Sequence, residues 1–364
     1  MGNSVHTPLT SGDAVALLEQ MIATPSVSRS EENTAALIYD FLENQGVSCR
    51  RHHNNVWALN ERYDAQKPTL LLNSHHDTVK PSQAYTVDPF VPLHKDGKLY
   101  GLGSNDAGAS VVSLVVTFCN LYREELPFNL LLLIGAEEEV MGENGMRLMI
   151  PYFRDELKLR IDMALVGEPT GLDAAVGERG LVVLDCYAHG RQGHAARNEG
   201  DNAIYKAIRD IEMLRNFRWD RESSLLGAIK MTTTQIEAGF QHNVVPDVCH
   251  FVVDIRTTDA YSNEDVVAQL QQRMVSEAKP RSTRIHASAI DSAHVLVRTA
   301  VQLGRQTYVS PTTSDMAFMP FSSLKLGVGQ SCRSHSADEY ILESEIEEGV
   351  AFYYEYIKTL SANI

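Results

Sequence analysis

Thr69-Leu70-Leu71-Leu72-Asn73-Ser74-His75-His76-Asp77-Thr78-Val79-Lys80 contains an apolar run that stops at two small polar residues and then presents imidazole, imidazole and carboxylate. A run of this length bounded by polar residues reads as a buried strand. The C-terminal end of a buried strand in an open α/β sheet is where ligands sit. Imidazole and carboxylate are common metal ligands. A strand end entering a polar loop would look the same, so other strands must decide between the two readings.

They do so in sequence. Phe128 to Gly135 ends in Ala136-Glu137-Glu138-Glu139, Ile161 to Val166 ends in Gly167-Glu168-Pro169, and Leu324 to Val328 is followed by Gln330 to Ser336 with His335. Gly101 to Asp106 is a flexible approach to a long apolar helix from about Ala107 to Tyr122. Taken singly, Asp106 is a helix cap and the three glutamates are a helix start. Four apolar strands that all lead into metal-type ligands make those separate explanations inadequate.

Around these strands the spacing predicts helices over Ser11 to Ala23, with Val15, Leu18, Met21 and Ile22 on one face, and from about Ser30 to Asn44. Val47 to Arg51 and Val56 to Asn60 read as strands, and residues 81 to 98, with three prolines, read as loop. The middle of the chain changes character. Leu181 to His189 alternates as in a sheet solvated on one face. Asn202 to Asn216 is helical, Thr232 to Glu237 and Cys249 to Arg256 are strands, Ser262 to Glu277 is helical, and Thr283 to Ala289 is a last strand, with Lys279 to Ser282 as a turn. That β-α-β-β-α-β order suits a small ferredoxin-like domain. The expected class is α/β. A discontinuous domain (1–178 and 291–364) holds a mixed, mostly parallel sheet between helices, and an inserted α+β lid occupies 179–290.

The chain has 364 residues, 44% hydrophobic and 22% charged, with a formal net charge of -15. That balance is globular and argues against nucleic acid, which needs a basic face. The five cysteines show no Cys-x-x-Cys and no disulfide framework. No signal peptide and no membrane-length apolar run is found, so the expectation is a cytoplasmic protein with no membrane partner.

His75, Asp106, Glu139, Glu168 and His335 are more ligands than one tetrahedral zinc takes, and they fit two metals sharing a carboxylate. Asp77 is placed to hold the His75 imidazole, while His76 points away into packing or a hydrogen bond. A carboxylate beside the metal must move protons, and chemistry alone does not choose between Glu137 and Glu138.

The ordered set Ser74-His75-His76-Asp77-Thr78-Val79, Gly101 to Asp106, Ala136 to Glu139, Val166 to Thr170, Gly193-His194-Ala195 and His335 to Tyr340 resembles the acetylornithine deacetylase / succinyl-diaminopimelate desuccinylase family of co-catalytic zinc hydrolases, from about Thr24 to Tyr340. The resemblance implies two Zn²⁺, replaceable by Co²⁺. One would sit on His75 and Glu168, the other on Glu139 and His335, with Asp106 bridging. It implies Glu138 as general base, Asp77 as orienting carboxylate and His194 as oxyanion donor. It implies Asn243 and Arg256 as substrate contacts, a salt bridge from Arg256 to Asp254 or Asp259 being the rival reading. Ala107-Gly108-Ala109-Ser110 departs from the Met-Lys-Gly-Gly of many relatives, and Glu137 replaces an Asp. The resemblance also implies that the discontinuous domain is the catalytic one and that the inserted lid is of the dimerisation type. The expected substrate is an Nα-acyl amino acid, acetyl or succinyl, such as N-acetylornithine or N-acylcitrulline, with the acetylornithine deacetylase branch of arginine biosynthesis first. A succinyl-diaminopimelate desuccinylase, or a metallo-dipeptidase or aminopeptidase of the same family, is the alternative. A homodimer through the lid is the expected assembly.

Overall fold

Apolar runs such as Thr69–His75 and Asn129–Gly135 are buried at every residue because both faces of their sheet are covered. The structure, a computed structural model, describes residues 7–364 apart from residue 198. Thr69–His75 lies between Asn129–Gly135 and Met163–Val166 and is parallel to both. Ser322–Lys325 joins Met163–Val166 in the same direction. Antiparallel strands flank this parallel centre. Asn55–Leu59 and then Cys49–His52 lie beyond Asn129–Gly135, and Ala174–Glu178 lies beyond Ser322–Lys325.

Side chains alternate between the two faces. Leu71, Leu131, Leu133, Ala164 and Val166 pack with Met146, Met149, Ile150 and Phe153. The other face meets the helix Ala109–Leu121, buried nearly all round because Ser11–Ile22 and Glu343–Asn363 also pack on it. Each fully buried Val, Leu or Phe here contributes about 1.5–3 kcal/mol. Ser11–Ile22 is closed at its start by Asp13, whose carboxylate accepts the Thr10 N–H at 2.7 Å and the Thr10 hydroxyl at 2.8 Å.

Residues 81–98, expected as loop, run into a hairpin that ends at Tyr100: Leu93–Lys95 pairs with Lys98–Tyr100, and Tyr340–Leu342 adds a third strand. Asp96-Gly97 turns it with φ of 54° and 73°, the two-residue geometry that aspartate and glycine favour. The strands are too short for their alternation to show in the sequence.

The chain divides into two units. The first takes everything up to Val176, together with Ile290–Tyr308 and Ser314–Ile364; the second takes Gly177–Ala289 and Val309–Thr313. Val309–Thr313, expected in the catalytic domain, thus belongs to the second unit, where the Thr313 hydroxyl donates to the Arg179 carbonyl at 3.4 Å.

The second unit is a four-stranded antiparallel sheet in the order Lys230–Ala238, Val248–Thr257, Gly180–His189, Glu277–Pro280. Ala203–Asn216 and Asn263–Gln271 pack on it. Val182, Leu184, Cys186 and Ala188 alternate inward to meet Phe251, Val253, Ile255 and Leu270. The strand that closes this sheet is Glu277–Pro280, and the helix before it stops at Gln271; of the 283–289 stretch expected as the last strand only Ser288–Ala289 is one, and it pairs outside this sheet, with Glu178 and Gly177. The buried Asp210 carboxylate accepts the N–H groups of Val275 (3.1 Å) and Ser276 (2.7 Å), which draws the chain out of the helix and into the sheet. Pro280 is tolerated because the strand lies at the sheet's edge. Among the described residues no helix is long and apolar enough to cross a membrane.

Candidate metal centre

Parallel pairing brings the C-terminal ends of four strands to one edge. His75 ends its strand, Glu138 and Glu139 follow Gly135, Glu168 follows Val166, and His335 lies on the segment after Lys325. Asp106 arrives from the loop before Ala109–Leu121, with φ of -120° and ψ of 98°; the cap position of that helix is Gly108, so Asp106 is not its cap. Its two carboxylate oxygens face different imidazoles: Oδ1 is 3.4 Å from His75 Nε2 and Oδ2 is 3.7 Å from His335 Nε2. His75 Nε2 also lies 3.6 Å from Glu168 Oε1 and 3.8 Å from Glu138 Oε2. His335 Nε2 lies 3.1 and 2.9 Å from the two Glu139 oxygens. The five residues read from the sequence as ligands therefore converge in the first unit. Two overlapping ligand sets stand out, His75 with Glu138 and Glu168, and His75 with Asp106 and Glu139. The first contains Glu138, which the sequence reading placed beside the metal rather than on it.

The donor set fits a cation. His75 Nδ1 lies 3.0 Å from the Asp77 carbonyl and 3.4 Å from Asp77 Oδ1, both of which only accept. Nδ1 must therefore carry a proton, and Nε2 faces carboxylate oxygens, an arrangement that needs either a second ring proton or a cation between them. Nε2 is buried and has no hydrogen-bond partner. Lone pairs gathered around one small space are stable only with positive charge among them. The ionisation of the cluster says the same. Burial opposes charge on His75, but Glu138, Asp106 and Asp77 outweigh it and hold the imidazole well above its ordinary value. Burial pushes Glu138 well above the carboxylate range, His75 pulling against it while Glu168 and Asp315 add to it. Burial also raises Glu139. For Asp106 burial is overcome by its contact with His75, and it is held low.

Asp77 does more than orient His75. Its Oδ1 accepts the Glu138 N–H at 3.0 Å, and its Oδ2 accepts the Glu139 N–H at 3.1 Å and the Ser28 hydroxyl at 2.7 Å. One buried carboxylate thus fastens the turn that carries both glutamates. Glu137 lies outside the cluster: it takes φ of 58° and accepts the Asn144 side-chain N–H at 2.7 Å. Geometry thereby separates Glu137 from Glu138, which chemistry alone did not. His76 points away, its Nε2 2.9 Å from the Asn54 carbonyl, and burial lowers it to about 4.

Sequence reading missed Glu339. Its buried carboxylate, pushed up to about 7 by burial, accepts N–H groups from the Asp106 loop. The only signal was an acid shortly after His335, which has no meaning until the two loops meet.

His194, Asn243 and Arg256 belong to the second unit. Gly193–His194 pairs with Val244–Val245, and the Ala195 N–H donates to the Asn243 carbonyl at 3.0 Å, so His194 and Asn243 lie on adjoining segments. His194 Nδ1 accepts the Ala196 N–H at 3.1 Å. In the neutral ring the proton then sits on Nε2, a free-standing donor. Asn243 Oδ1 is buried with no hydrogen-bond partner. Arg256 makes a two-point salt bridge to Asp254 at 2.8 and 3.1 Å. Arg179 donates to the Ala228 carbonyl at 2.8 Å and to that of Leu226.

Known proteins resemble both the sequence and the fold. The family model of peptidase family M20/M25/M40 matches residues 71–359. A succinyl-diaminopimelate desuccinylase from Delftia acidovorans is 27% identical over 369 residues, 91% of this chain and 94% of that protein. Among solved structures, aminopeptidase PepT from Bacillus cereus has a TM-score of 0.76 at 17% identity, covering 97% of this chain and 100% of its own. The Bacillus subtilis YXEP protein, described as a dinuclear metal binding peptidase, has a TM-score of 0.70 at 15% identity, covering 97% and 99%.

Proposed function

We propose, from the premise that this chain belongs to peptidase family M20/M25/M40, that it is a dinuclear zinc hydrolase removing the acyl group from an Nα-acyl amino acid, with succinyl as the first acyl group to test. Membership makes it a metal-dependent hydrolase of amide bonds; the substrate class and residue roles are our reading. The relatives at 27–30% identity are succinyl-diaminopimelate desuccinylases, which favours succinyl-diaminopimelate over N-acetylornithine. N-Acetylornithine, with arginine biosynthesis as its setting, stands second.

The observation that carries the reading is the buried His75 Nε2, without a hydrogen-bond partner and turned toward the Asp106, Glu168 and Glu138 carboxylates. In this reading His75 and Glu168 would hold one ion and Glu139 and His335 the other, and Asp106, each of whose oxygens faces one imidazole, would be shared. Two zinc ions, or cobalt in the same donor set, supply Lewis acidity and lower the pKa of water. Glu138 takes a proton from the attacking water and delivers it to the departing amine nitrogen. Asp77 keeps Nδ1 of His75 protonated and the Glu138–Glu139 turn in place. His194 has the donor role toward the developing oxyanion, which its Nε2–H tautomer permits. For Arg256 to grip a carboxylate it must share its fork with Asp254.

The test is turnover of N-succinyl-diaminopimelate, N-acetylornithine, N-acylcitrullines and dipeptides by zinc-loaded protein. Fastest release of amine from the succinyl substrate supports the reading. Release from none of the acyl amino acids sinks it, and faster cleavage of dipeptides replaces it with a peptidase.

A further inference from the structure

Glu339 lies on the segment between His335 and the Tyr340–Leu342 strand and is buried. Its carboxylate accepts three backbone N–H groups, from Gly103 at 3.0 Å on Oε2 and from Asn105 and Asp106 at 2.9 and 2.8 Å on Oε1. These donors need it. Gly103 has φ of 75°, and the backbone at Asp106 and Ala107 is not helical, so the loop does not satisfy its own amides as a regular helix would. Asn105 ties the same two loops a second time: its Oδ1 accepts the Gln330 N–H at 2.8 Å and its Nδ2 donates to the Gln330 carbonyl at 3.1 Å. The approach is close enough that Gly329, at φ of 93°, has no room for a side chain, since an added Cβ would meet Asn105 Oδ1 at 2.5 Å.

Asp106 and His335, remote in sequence, therefore stand on two loops joined at Glu339 and Asn105. A carboxylate that serves two ions must be placed within a few tenths of an ångström, because each oxygen has its own target. Burying a second acid beside Asp106 costs free energy through desolvation and repulsion, and an amide or hydroxyl could cap a loop without it. What a carboxylate adds is two acceptor oxygens that take three backbone N–H groups at once and so fix where the backbone of Asp106 stands.

We propose that Glu339 is a positioning residue that sets Asp106 between the two ion sites, a role that rests on the dinuclear reading above. The parent protein, Glu339→Gln and Glu339→Asp are titrated with Zn²⁺ and Co²⁺ by calorimetry, and the cobalt forms are compared by electron paramagnetic resonance. Glu339→Gln is expected to lose roughly tenfold to hundredfold in metal affinity and in kcat, with KM little changed. It is also expected to lose the magnetic coupling that a shared ligand gives two cobalt ions, and Glu339→Asp is expected to fall between it and the parent. Parent-like affinity, kcat and coupling in Glu339→Gln, with only a lower melting temperature, overturn the proposal and make Glu339 a plain structural cap. Should Glu339→Gln not fold, Glu339→Asp, which shortens the carboxylate's reach to those N–H groups, is read in the same way: parent-like affinity, kcat and coupling there overturn the proposal. A parent that binds no metal overturns the dinuclear reading itself, whereas a parent that binds two ions beside unaffected variants overturns only the part given to Glu339.

Discussion

At the edge of the first unit's parallel sheet, Glu138, Glu168 and His75 are buried together, whereas on the open face of the second unit's antiparallel sheet Asp185 pairs with His250 at 3.1 Å and with Arg281 at 2.8 and 3.0 Å near water. Both regions gather acids and bases on strands, but their surroundings differ. A sheet covered on both faces desolvates whatever its strand ends carry, so charges there shift strongly and need a cation. A sheet covered on one face leaves its polar residues to pair with each other at little energetic consequence. Groups of the first kind suit chemistry common to every substrate. Groups of the second kind can exchange partners cheaply and suit recognition.

The contrast can be broken by experiment. Its largest expected consequence is that chelation abolishes turnover and added Zn²⁺ restores it; turnover that survives with metal content shown to be nil would remove the cation from the argument. Next, Glu138→Ala should lower kcat by about 10²–10⁴ while retaining two ions, read by steady-state kinetics beside metal analysis. Near-parent activity in that variant would move the base elsewhere in the cluster.

Variants of the second unit should act more selectively. His194→Ala is expected to lower kcat by roughly 10²–10³ with metal content intact, and an effect on KM alone would make it a binding residue. Arg256→Ala should raise KM by about tenfold for substrates with a free α-carboxylate, the worth of one charge-assisted hydrogen bond, and less for esterified ones. A fall in melting temperature with KM unmoved would leave Arg256 as a partner of Asp254 only.

The smallest effect is one of pH on stability. The Arg281 hydrogen bond, helped by His250, pulls Asp185 down to about 2. Its folded value lies below its unfolded one, so its contribution is present above the ordinary aspartate range and is lost as pH falls from about 4 toward 2. Asp185→Asn should flatten that limb of the urea midpoint against pH. An unchanged slope would show that the pair is screened out by water.

Much of this was legible in residue order because the signals are local. Uninterrupted apolar runs marked the strands buried on both faces, and loose alternation from Leu181 marked the sheet buried on one. The β-α-β-β-α-β order of the second unit appears with the strand order of a ferredoxin-like sheet. Other features were hidden because their causes are remote. The helix expected to reach Glu277 stops at Gln271 because Asp210, on another helix, captures the amides that follow. Residue chemistry did not separate Glu137 from Glu138; the resemblance chose Glu138, and the contact that turns Glu137 aside, with Asn144, is made only in the fold.

The same division holds at His75-His76-Asp77. The sequence by itself determined that this strand ends in candidate ligands, that other strands do likewise, and which residue types the centre contains, since strand periodicity and ligand chemistry are properties of neighbouring residues. Only the tertiary structure decided that Asp77 holds the Glu138–Glu139 turn, that Asp106 turns one oxygen to each imidazole, and that Glu339 binds the loop on which Asp106 stands. Those relations depend on strand order and on backbone N–H groups. No side-chain pattern records which N–H groups a fold leaves unsatisfied, or which buried carboxylate it brings to them.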